Sequence, residues 1–283
     1  MATLRDIKRK IGAVKKTKQI TRAMNMVAAA KLRGAQSRME NFEPYAEKFA
    51  QVLENLTSRM DPEVHPLLMK KDVVSRVELL HFTADRGLCG SFNVNSIAVA
   101  EKWVVSQQKK GVDCSLTLVG KKGRDFFRKR NYAINVAHTN IYETIDIGFV
   151  NQMANGFIAR FLNDEVDEVH MIYSRFLSMA KQEPIPVKLI PIEPPRGEEK
   201  TEGMADYLCE PSAEDLLIEL LPKHISVQVY NAFLQQETSE HAARMAAMDN
   251  ATLENLTLVY NKARQAAITA ELMDIVGGAE ALR

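Results

Sequence analysis

The stretch PSAEDLLIELLPKHISVQVYNAFLQQETSEHAARMAAMDNATLENLTLVYNKARQAAITAELMDIVGGAEA, residues 211–281, reads as one helix of unusual length. Ser212 is a typical capping residue, and the two carboxylates in the first turn suit the positive end of the helix dipole. Pro222 is the only later proline, and no strong stop precedes the glycine pair at 277–278. At 1.5 Å per residue the helix would span roughly 100 Å, whereas a compact chain of this length has a radius of gyration of about 19 Å. The helix must therefore protrude from its own domain.

Two apolar stripes predict how the far end of this helix is covered. One alternates spacings of three and four, as in the seam of a coiled coil: Leu256, Val259, Ala263, Ala266, Ala270 and Met273. A second stripe lies on another face: Ile268, Leu272, Ile275, Ala279 and Leu282. A thin, alanine-rich rod with two apolar stripes predicts an end that is gripped from several sides in a narrow hole.

Residues 3 to about 57 form a second long helical stretch, the expected coiled-coil partner of the first. Its first stripe has spacings of three, four and three: Leu4, Ile7, Ile11 and Val14. A phase slip at residues 15–18 then leads to a new stripe: Ile20, Met24 and Val27. Pro44 predicts an interruption of the helix, which resumes to Leu56 before Pro62 and Pro66 end it.

The N-terminal arm is strongly basic, although the whole chain has a net charge of only +1. Up to Arg38 it carries eleven Lys or Arg residues against the single acid Asp6. The simplest interpretation is a solvated helix face, and the alternatives are an acidic protein surface or nucleic acid. Because no aromatic residues lie between these charges, the pattern argues against single-stranded nucleic acid, whose bases stack on rings.

The hydrophobic period changes in the middle of the chain. A strand from Val73 to Phe82 is followed by a glycine-rich turn, Asp85–Gly90, and a helix from Asn93 to about Lys109. The later segments repeat this alternation: strand Cys114–Val119, Gly120 and Gly123 before Phe126, helix Ile145–Leu162, strand Val166–Phe176, and a proline-flanked edge strand Val187–Ile192. This order predicts a small, largely parallel, Rossmann-like α/β domain.

The glycine turn invites comparison with phosphate-binding loops. It lacks the lysine and Ser/Thr ending of a P-loop and the spacing of a dinucleotide fingerprint, so a tight structural turn is the favoured interpretation. Asp85 beside it is the best single candidate for chemistry, but it has no identifiable partner acid, base or metal ligand.

Four regions follow from these patterns. They are an N-terminal coiled-coil helix at 1–60, the α/β domain at 73–193, an acidic segment at 194–211 and a C-terminal coiled-coil helix at 212–283. From Glu193 to Asp215 the chain has eight acids against two bases, which indicates either a solvated linker or a docking surface near the base of the helix.

Composition narrows the function classes. The chain has 283 residues, of which 46% are hydrophobic, and three cysteines at no metal or redox spacing. The six dispersed histidines form no ligand or catalytic pattern, so we expect no cofactor, no metal and no catalytic site. The start lacks the apolar core of a signal peptide, and no run of about 20 apolar residues exists, so we expect no direct membrane span.

Three motifs resemble one protein family. They are ITRAMNMVAAAK at 20–31, DRGLCG at 85–90 and ITAELMDIVGGAEA at 268–281, and together they are similar to the gamma subunit of F-type ATP synthases. The motifs lie at both ends and in the middle, so the resemblance covers essentially the whole chain. The tail motif is the specific one, because a glycine loop alone occurs in many folds.

The resemblance implies a role and partners. In that family the terminal helices form an antiparallel coiled coil that rotates inside a hexamer of alpha and beta subunits. The α/β domain sits at its foot beside the epsilon subunit and the membrane ring of c subunits. The complex is peripheral to the cytoplasmic face of the inner membrane, and the absence of a transit peptide and of the chloroplast regulatory cysteines implies a bacterial type.

The resemblance also assigns contacts. Positions that face the beta subunits are matched by Met24, Arg244, Arg264, Gln265 and Thr269, and foot positions by Tyr207, Cys209 and Glu210. The basic face of the N-terminal arm, including Lys8 and Arg9, is expected to meet acidic loops of the beta subunits. Ile268, Leu272 and Ile275 are expected in the bearing.

Two other functions compete with a non-catalytic rotor. An α/β enzyme with helical arms lacks a catalytic constellation in this sequence. A coiled-coil adaptor for an acidic protein or nucleic-acid surface is suggested only by the basic arm, and the thin apolar tail argues for a protein socket instead.

Overall fold

The computed structural model describes residues 4–57, 65–142, 145–193, 212–251 and 257–280. The helices are α1 (Leu4–Thr57), α2 (Phe92–Gln108), α3 (Lys121–Lys129), α4 (Ile147–Leu162), α5 (Ala213–Asn250) and α6 (Thr257–Glu280). The strands are β1 (Arg76–Phe82), β2 (Asp113–Val119), β3 (Ile134–His138), β4 (Glu168–Phe176) and β5 (Gln182–Ile190). A short 3-10 helix covers Pro66–Leu68.

The five strands form one sheet in the order β3-β2-β1-β4-β5. β1 to β4 pair in parallel and β5 joins antiparallel at the edge, which confirms the predicted, largely parallel domain with a proline-bearing edge strand. The sequence reading missed β3. Its five residues, INVAH, are mostly exposed at the opposite edge, so they show neither a buried apolar run nor a long alternation.

Side chains of the central strands alternate between two cores. Leu79 of β1 packs with α2 and α3, whereas Leu80 and Phe82 pack on the other face with α4 and α5. The core on the α4 and α5 face contains six apolar residues from the first part of α5: Leu217, Leu221, Ile225, Val229, Ala232 and Phe233. The start of the long C-terminal helix is therefore part of the core of the α/β domain.

The turn between β2 and α3 requires glycine. Gly120 has φ +94°, and a Cβ there would lie 2.0 Å from the carbonyl oxygen of Thr83. The backbone of β1 therefore passes close to the start of α3, where the Gly123 N–H donates to Thr83 Oγ1 at 2.8 Å.

The coiled coil of α1 and α5 keeps one phase, and the predicted slip at residues 15–18 is wrong. The first stripe ends at Val14, and the next covered position is Thr21, seven residues on and so in the same phase, although Lys18 between them is exposed. From Thr21 the spacings are three and four, through half-buried Asn25 to the buried positions Ala28, Leu32, Ala35 and Met39. Asn25 is held in the seam because its Nδ2 donates to the Met245 carbonyl at 3.0 Å. The polar seam residues hid the continuous pattern, and the apolar residues taken for a new stripe include Ile20 and Val27, which are exposed.

Pro44 does not interrupt α1, contrary to the prediction. The helix is continuous from Leu4 to Thr57 with Pro44 inside it. Phe42 and Phe49 on either side contact Tyr230 and His224 of α5, so packing against α5 offsets the backbone bond that proline removes.

α6 continues the coiled coil by packing on α1. Helix is present up to Asn250 and from Thr257, and residues 252–256 lie outside the described residues, so the single predicted helix can be followed only in these two parts. The covered positions of α6 are Tyr260, Ala263, Ala267 and Ala270. The predicted seam was right at Ala263 and Ala270 but wrong at Val259, Ala266 and Met273, which are exposed. Val259 and Ala266 each lie one residue before a covered position. Leu256 of this stripe and Leu282 of the second lie outside the described residues.

Candidate functional site

A groove of about 550 Å³ lies where the glycine turn of the α/β domain approaches the coiled coil. α1 lines it with Ile20, Met24 and Val27, the turn contributes Leu88, and α5 contributes Arg244. Ile20, Val27 and Leu88 are each about 60% exposed. An apolar patch on a helix that already has a partner on its other side marks an interaction surface.

Asp85 has a structural role in the glycine turn. Its carboxylate accepts the backbone N–H of Lys121 at 3.0 Å and that of Asn140 at 2.9 Å. The carboxylate therefore occupies the N-terminus of α3, the place where a phosphate would sit on a helix dipole. This occupancy supports the structural interpretation of the turn over a phosphate site.

Arg244 joins the turn to α5. Its guanidinium forms an ion pair with Glu240 at 2.7 Å and donates to the Gly87 carbonyl at 3.5 Å. The side chain is only 11% exposed. Arg244 thus lines the groove from below and positions the turn that carries Leu88.

One further ion pair fixes the two long helices next to the groove. Arg38 of α1 donates from Nη2 to both carboxylate oxygens of Glu237 at 2.7 Å. Burial opposes ionisation of Glu237, but the neighbouring His241 and the Arg38 guanidinium outweigh it and lower the pKa of this carboxyl. Glu237 is therefore ionised, and its ion pair with Arg38 holds α5 to α1.

The tip of the coiled coil presents apolar side chains to solvent. Ile268, Leu272 and Ile275 are 48%, 56% and 67% exposed. Arg264, Gln265 and Thr269 are exposed on the same helix, and Thr269 Oγ1 donates only to the Gln265 carbonyl one turn earlier. The side chains expected in the bearing thus lie together on the outside of α6.

The basic residues near the N-terminus divide into two kinds. Lys8 Nζ forms an ion pair with Glu271 of α6 at 3.0 Å, and both side chains are at least half exposed. Arg9 and Lys10 are exposed, and their side chains form no hydrogen bond or ion pair within the described residues. Lys8 therefore also joins the two helices, whereas Arg9 is the better probe of an external partner.

The remaining sequence candidates give no second site. Within the described ranges, no three His, Cys, Asp or Glu side chains come together in a way that would hold a metal ion. None of the helices in those ranges has a stretch apolar enough, over enough residues, to pass through a bilayer. Tyr207, Cys209 and Glu210, the predicted foot residues, lie outside the described residues.

Sequence reasoning missed a set of polar residues on α5: Gln235, Gln236 and Ser239. All three are buried and bond the backbone of β4. The available signal was the polar run QQETSE, which falls on a helix face that is otherwise apolar where it meets the domain.

Comparisons with known proteins agree with one family. A family model described as ATP synthase matches residues 3–282. The chain is 52% identical to an ATP synthase gamma chain of Syntrophobacter fumaroxidans over 291 residues, with 100% of both chains covered. It is 49% identical to an ATP synthase gamma chain of Nitratidesulfovibrio vulgaris strain Miyazaki F over 292 residues, again with 100% of both covered.

Solved structures of similar fold include a rotor and a central stalk of ATP synthases. The rotor of the Euglena gracilis mitochondrial ATP synthase has a TM-score of 0.67 at 20% identity and covers 96% of this chain and 98% of its own. The central stalk and c-ring structure of the Tetrahymena thermophila mitochondrial ATP synthase has a TM-score of 0.63 at 23% identity, covering 82% of this chain and 99% of its own. At this identity the solved structures show the fold alone. The relatives that match along their full length show the family: the chain belongs to the ATP synthase gamma chain family.

Proposed function

We propose that this chain is the central rotor shaft of an F-type ATP synthase, turning inside the hexamer of alpha and beta subunits. The observation that carries the proposal is the tip of the coiled coil. α6 buries little more than alanine against α1 and leaves Ile268, Leu272 and Ile275 in solvent. A helix gains most of its stability by burying an apolar face, so this tip is built for an enclosing partner.

We assign contacts with the alpha and beta subunits to two positions along the coiled coil. At the tip we assign Arg264, Gln265 and Thr269, with the apolar stripe, to the bearing. Lower down we assign the groove around Met24 to the beta subunits, with Arg244 positioning the glycine turn beneath it. Arg9 extends the basic face toward acidic loops, and Lys8 contributes charge while it is paired with Glu271.

The foot completes the proposal. Tyr207, Cys209 and Glu210 are assigned to contacts with the epsilon subunit and the c ring. The complex would then be peripheral to the cytoplasmic face of the cell membrane. Catalysis belongs to the beta subunits, and this chain needs no cofactor of its own.

Rotation can drive chemistry because the coiled coil is not symmetric. One side carries the exposed apolar patch of Ile20 and Val27, whereas the seam side is covered by α5. Three equivalent beta subunits around such a rod meet different surfaces at any one angle. The rod shifts each catalytic site only by the difference in contact free energy between that site's conformations.

The test is reconstitution with alpha and beta subunits. Arg9→Glu with Lys10→Glu changes the net charge by four units on the basic arm while leaving the Lys8–Glu271 pair in place. Lys109→Glu with Lys110→Glu makes the same change at the exposed end of α2 and serves as the matched control. We expect only the first variant to bind the hexamer more weakly, with the difference shrinking as salt screens charges beyond about 10 Å at 0.1 M.

Three outcomes would contradict the proposal. Equal weakening by both variants would mean that overall charge matters and the arm does not. Failure of the unaltered chain to bind the hexamer or to stimulate its ATP turnover would remove the rotor function itself. ATP turnover by the isolated, pure chain would instead point to an enzyme.

A further inference from the structure

The sheet has a crevice of the kind that usually binds ligands. In doubly wound sheets the ligand lies outside the carboxyl ends of the strands, at the point where the strand order reverses. With the order β3-β2-β1-β4-β5, that point falls between β1 and β4. The pairing of these two strands ends at His81 opposite Ile172.

In this chain α5 occupies the crevice. Beyond the end of the pairing, the Ser174 N–H donates to Gln236 Oε1 at 2.8 Å. The Phe176 N–H donates to Gln235 Oε1 at 2.9 Å, and Ser239 Oγ donates to the Ser174 carbonyl at 2.9 Å. Side chains of the long helix thus take the place that a continuing β1 would have on this edge of β4.

The chemistry of these residues does not suit a simple core contact. Gln236 and Ser239 are fully buried and Gln235 is nearly so, on a helix whose preceding turns use leucine, valine and phenylalanine for the same packing. Gln236 Nε2 is buried with no hydrogen-bond partner among the described residues, which is unfavourable for stability. An apolar side chain would avoid that cost.

The directionality of hydrogen bonds explains why polar side chains occupy these buried positions. Apolar contact is non-directional, so it permits a helix to roll or slide on a sheet, whereas hydrogen bonds weaken steeply when their angles change. Three bonds to two alternate residues of one strand fix both the axial position and the rotation of α5 against the sheet.

We propose that Gln235, Gln236 and Ser239 are positioning residues that lock the shaft to the α/β domain against torsion, in the crevice where related folds bind a ligand. The inference rests on the proposed rotor function. Torque applied to the coiled coil by the hexamer then reaches the c ring through the domain, because α5 does not roll or slide on the sheet.

The test combines one lock variant with one control. The lock variant carries Gln235→Met, Gln236→Met and Ser239→Ala, which keep volume near the original and remove the bonds to β4. The control is Thr238→Val, because Thr238 is also fully buried on α5 but donates only to the Leu234 carbonyl of its own helix, at 2.8 Å. Ser239→Ala alone is a milder version should the triple variant fold poorly.

Two readouts separate the lock from ordinary packing. In the free chain, amide exchange at Ser174 and Phe176 should become roughly 10- to 100-fold faster in the lock variant and stay unchanged in the control. In rebuilt ATP synthase vesicles, the lock variant should hydrolyse ATP but lose ion pumping per ATP hydrolysed, and the control should pump as the unaltered chain does.

The outcomes are distinguishable. Faster exchange with normal pumping per ATP would make the three residues merely structural and overturn the inference. Unchanged exchange would show that the bonds do not hold α5. If complexes with the unaltered chain neither assemble nor pump, the proposed rotor function fails, independently of the lock.

Discussion

Removing the tip of the coiled coil should separate its role in the complex from the stability of the domain. We consider a chain that ends before Arg264. Of the described residues that this removes, only Ala267 is buried and Ala270 is half-buried. At about 0.8 kcal/mol per buried CH₂ group, the loss is roughly 1–2 kcal/mol, and it falls on the packing of α6 against α1.

The single tryptophan makes the domain measurable by itself. Trp103 of α2 packs beside His170 of β4, with ring centroids 4.8 Å apart, so its fluorescence in urea reports unfolding of the α/β domain. We expect the truncation to change that free energy of unfolding by less than about 1 kcal/mol. Phe233→Ala is the positive control. Phe233 is buried against Phe82, and the substitution should cost about 3–5 kcal/mol.

In the rebuilt complex the same truncation should act strongly. Assembly and torque should fall, because the apolar stripe that we assign to the bearing is gone. In the full-length chain, amides of residues 268–280 should exchange quickly when free and slowly in the complex. A loss of domain stability above about 3 kcal/mol, together with unimpaired rotation, would show that the tip serves its own domain, and the bearing argument would be wrong.

Three further perturbations test the physical account of the fold. Burial lowers the pKa of His81 to about 3 and that of His224 to about 4, so below about pH 6.5 the unfolded chain binds protons that the folded chain does not. The free energy of unfolding is therefore undiminished above that pH and should fall by about 2 kcal/mol for each histidine from pH 7 to pH 5, which urea unfolding can measure. Gly120→Ala should cost more than about 3 kcal/mol, because its Cβ would meet the Thr83 carbonyl, and an unchanged urea midpoint would contradict the close approach. Pro44→Ala should stabilise α1 by up to about 3 kcal/mol, seen as slower amide exchange around that position, and a loss of stability would mean that proline has a favourable role there.

The parts of the fold that could be predicted from sequence were those where burial and periodicity agree. β1 and β4 are buried on both faces, so their apolar runs stand out, and α4, the helix before β4, has a clear apolar face. β3 could not be found in the same way, because an exposed edge strand buries little of what periodicity measures. Its place in the sheet is set by β2, a neighbour that sequence reading does not provide.

The long helices failed prediction in a different manner. At Asn25 a polar side chain occupies a seam position and bonds the partner backbone, so the seam looks broken in sequence while it is intact in space. At Pro44 the aromatic contacts of α1 with α5 on both sides outweigh the missing backbone hydrogen bond, so the helix continues. In both cases tertiary contact with α5 decided the outcome, and single-helix rules do not include it.

The candidate surface, too, could be predicted only in part. Exposure of Ile268 and Leu272 followed from the mismatch between helix length and domain size, so it was predictable. The inward turn of Arg244 was not, because its partner Gly87 lies 157 positions away in the chain. A basic residue has the same appearance in sequence whether it faces a partner or holds a loop.

The size of the seam residues links the fold to the mechanism. Beside the domain, the seam of α1 buries Leu32 and Met39, and toward the tip α6 offers Ala263 and Ala267. Helices approach more closely when small side chains meet, within a usual range of about 8–10 Å between axes. Alanine on the α6 side of the seam therefore favours a close approach to α1, while the large apolar residues Ile268, Leu272 and Ile275 lie on the exposed faces of the tip. A rod that is bonded to a sheet at one end, and carries large apolar side chains on its outside at the other, can be held rigidly at the foot and turn inside an enclosing partner at the tip.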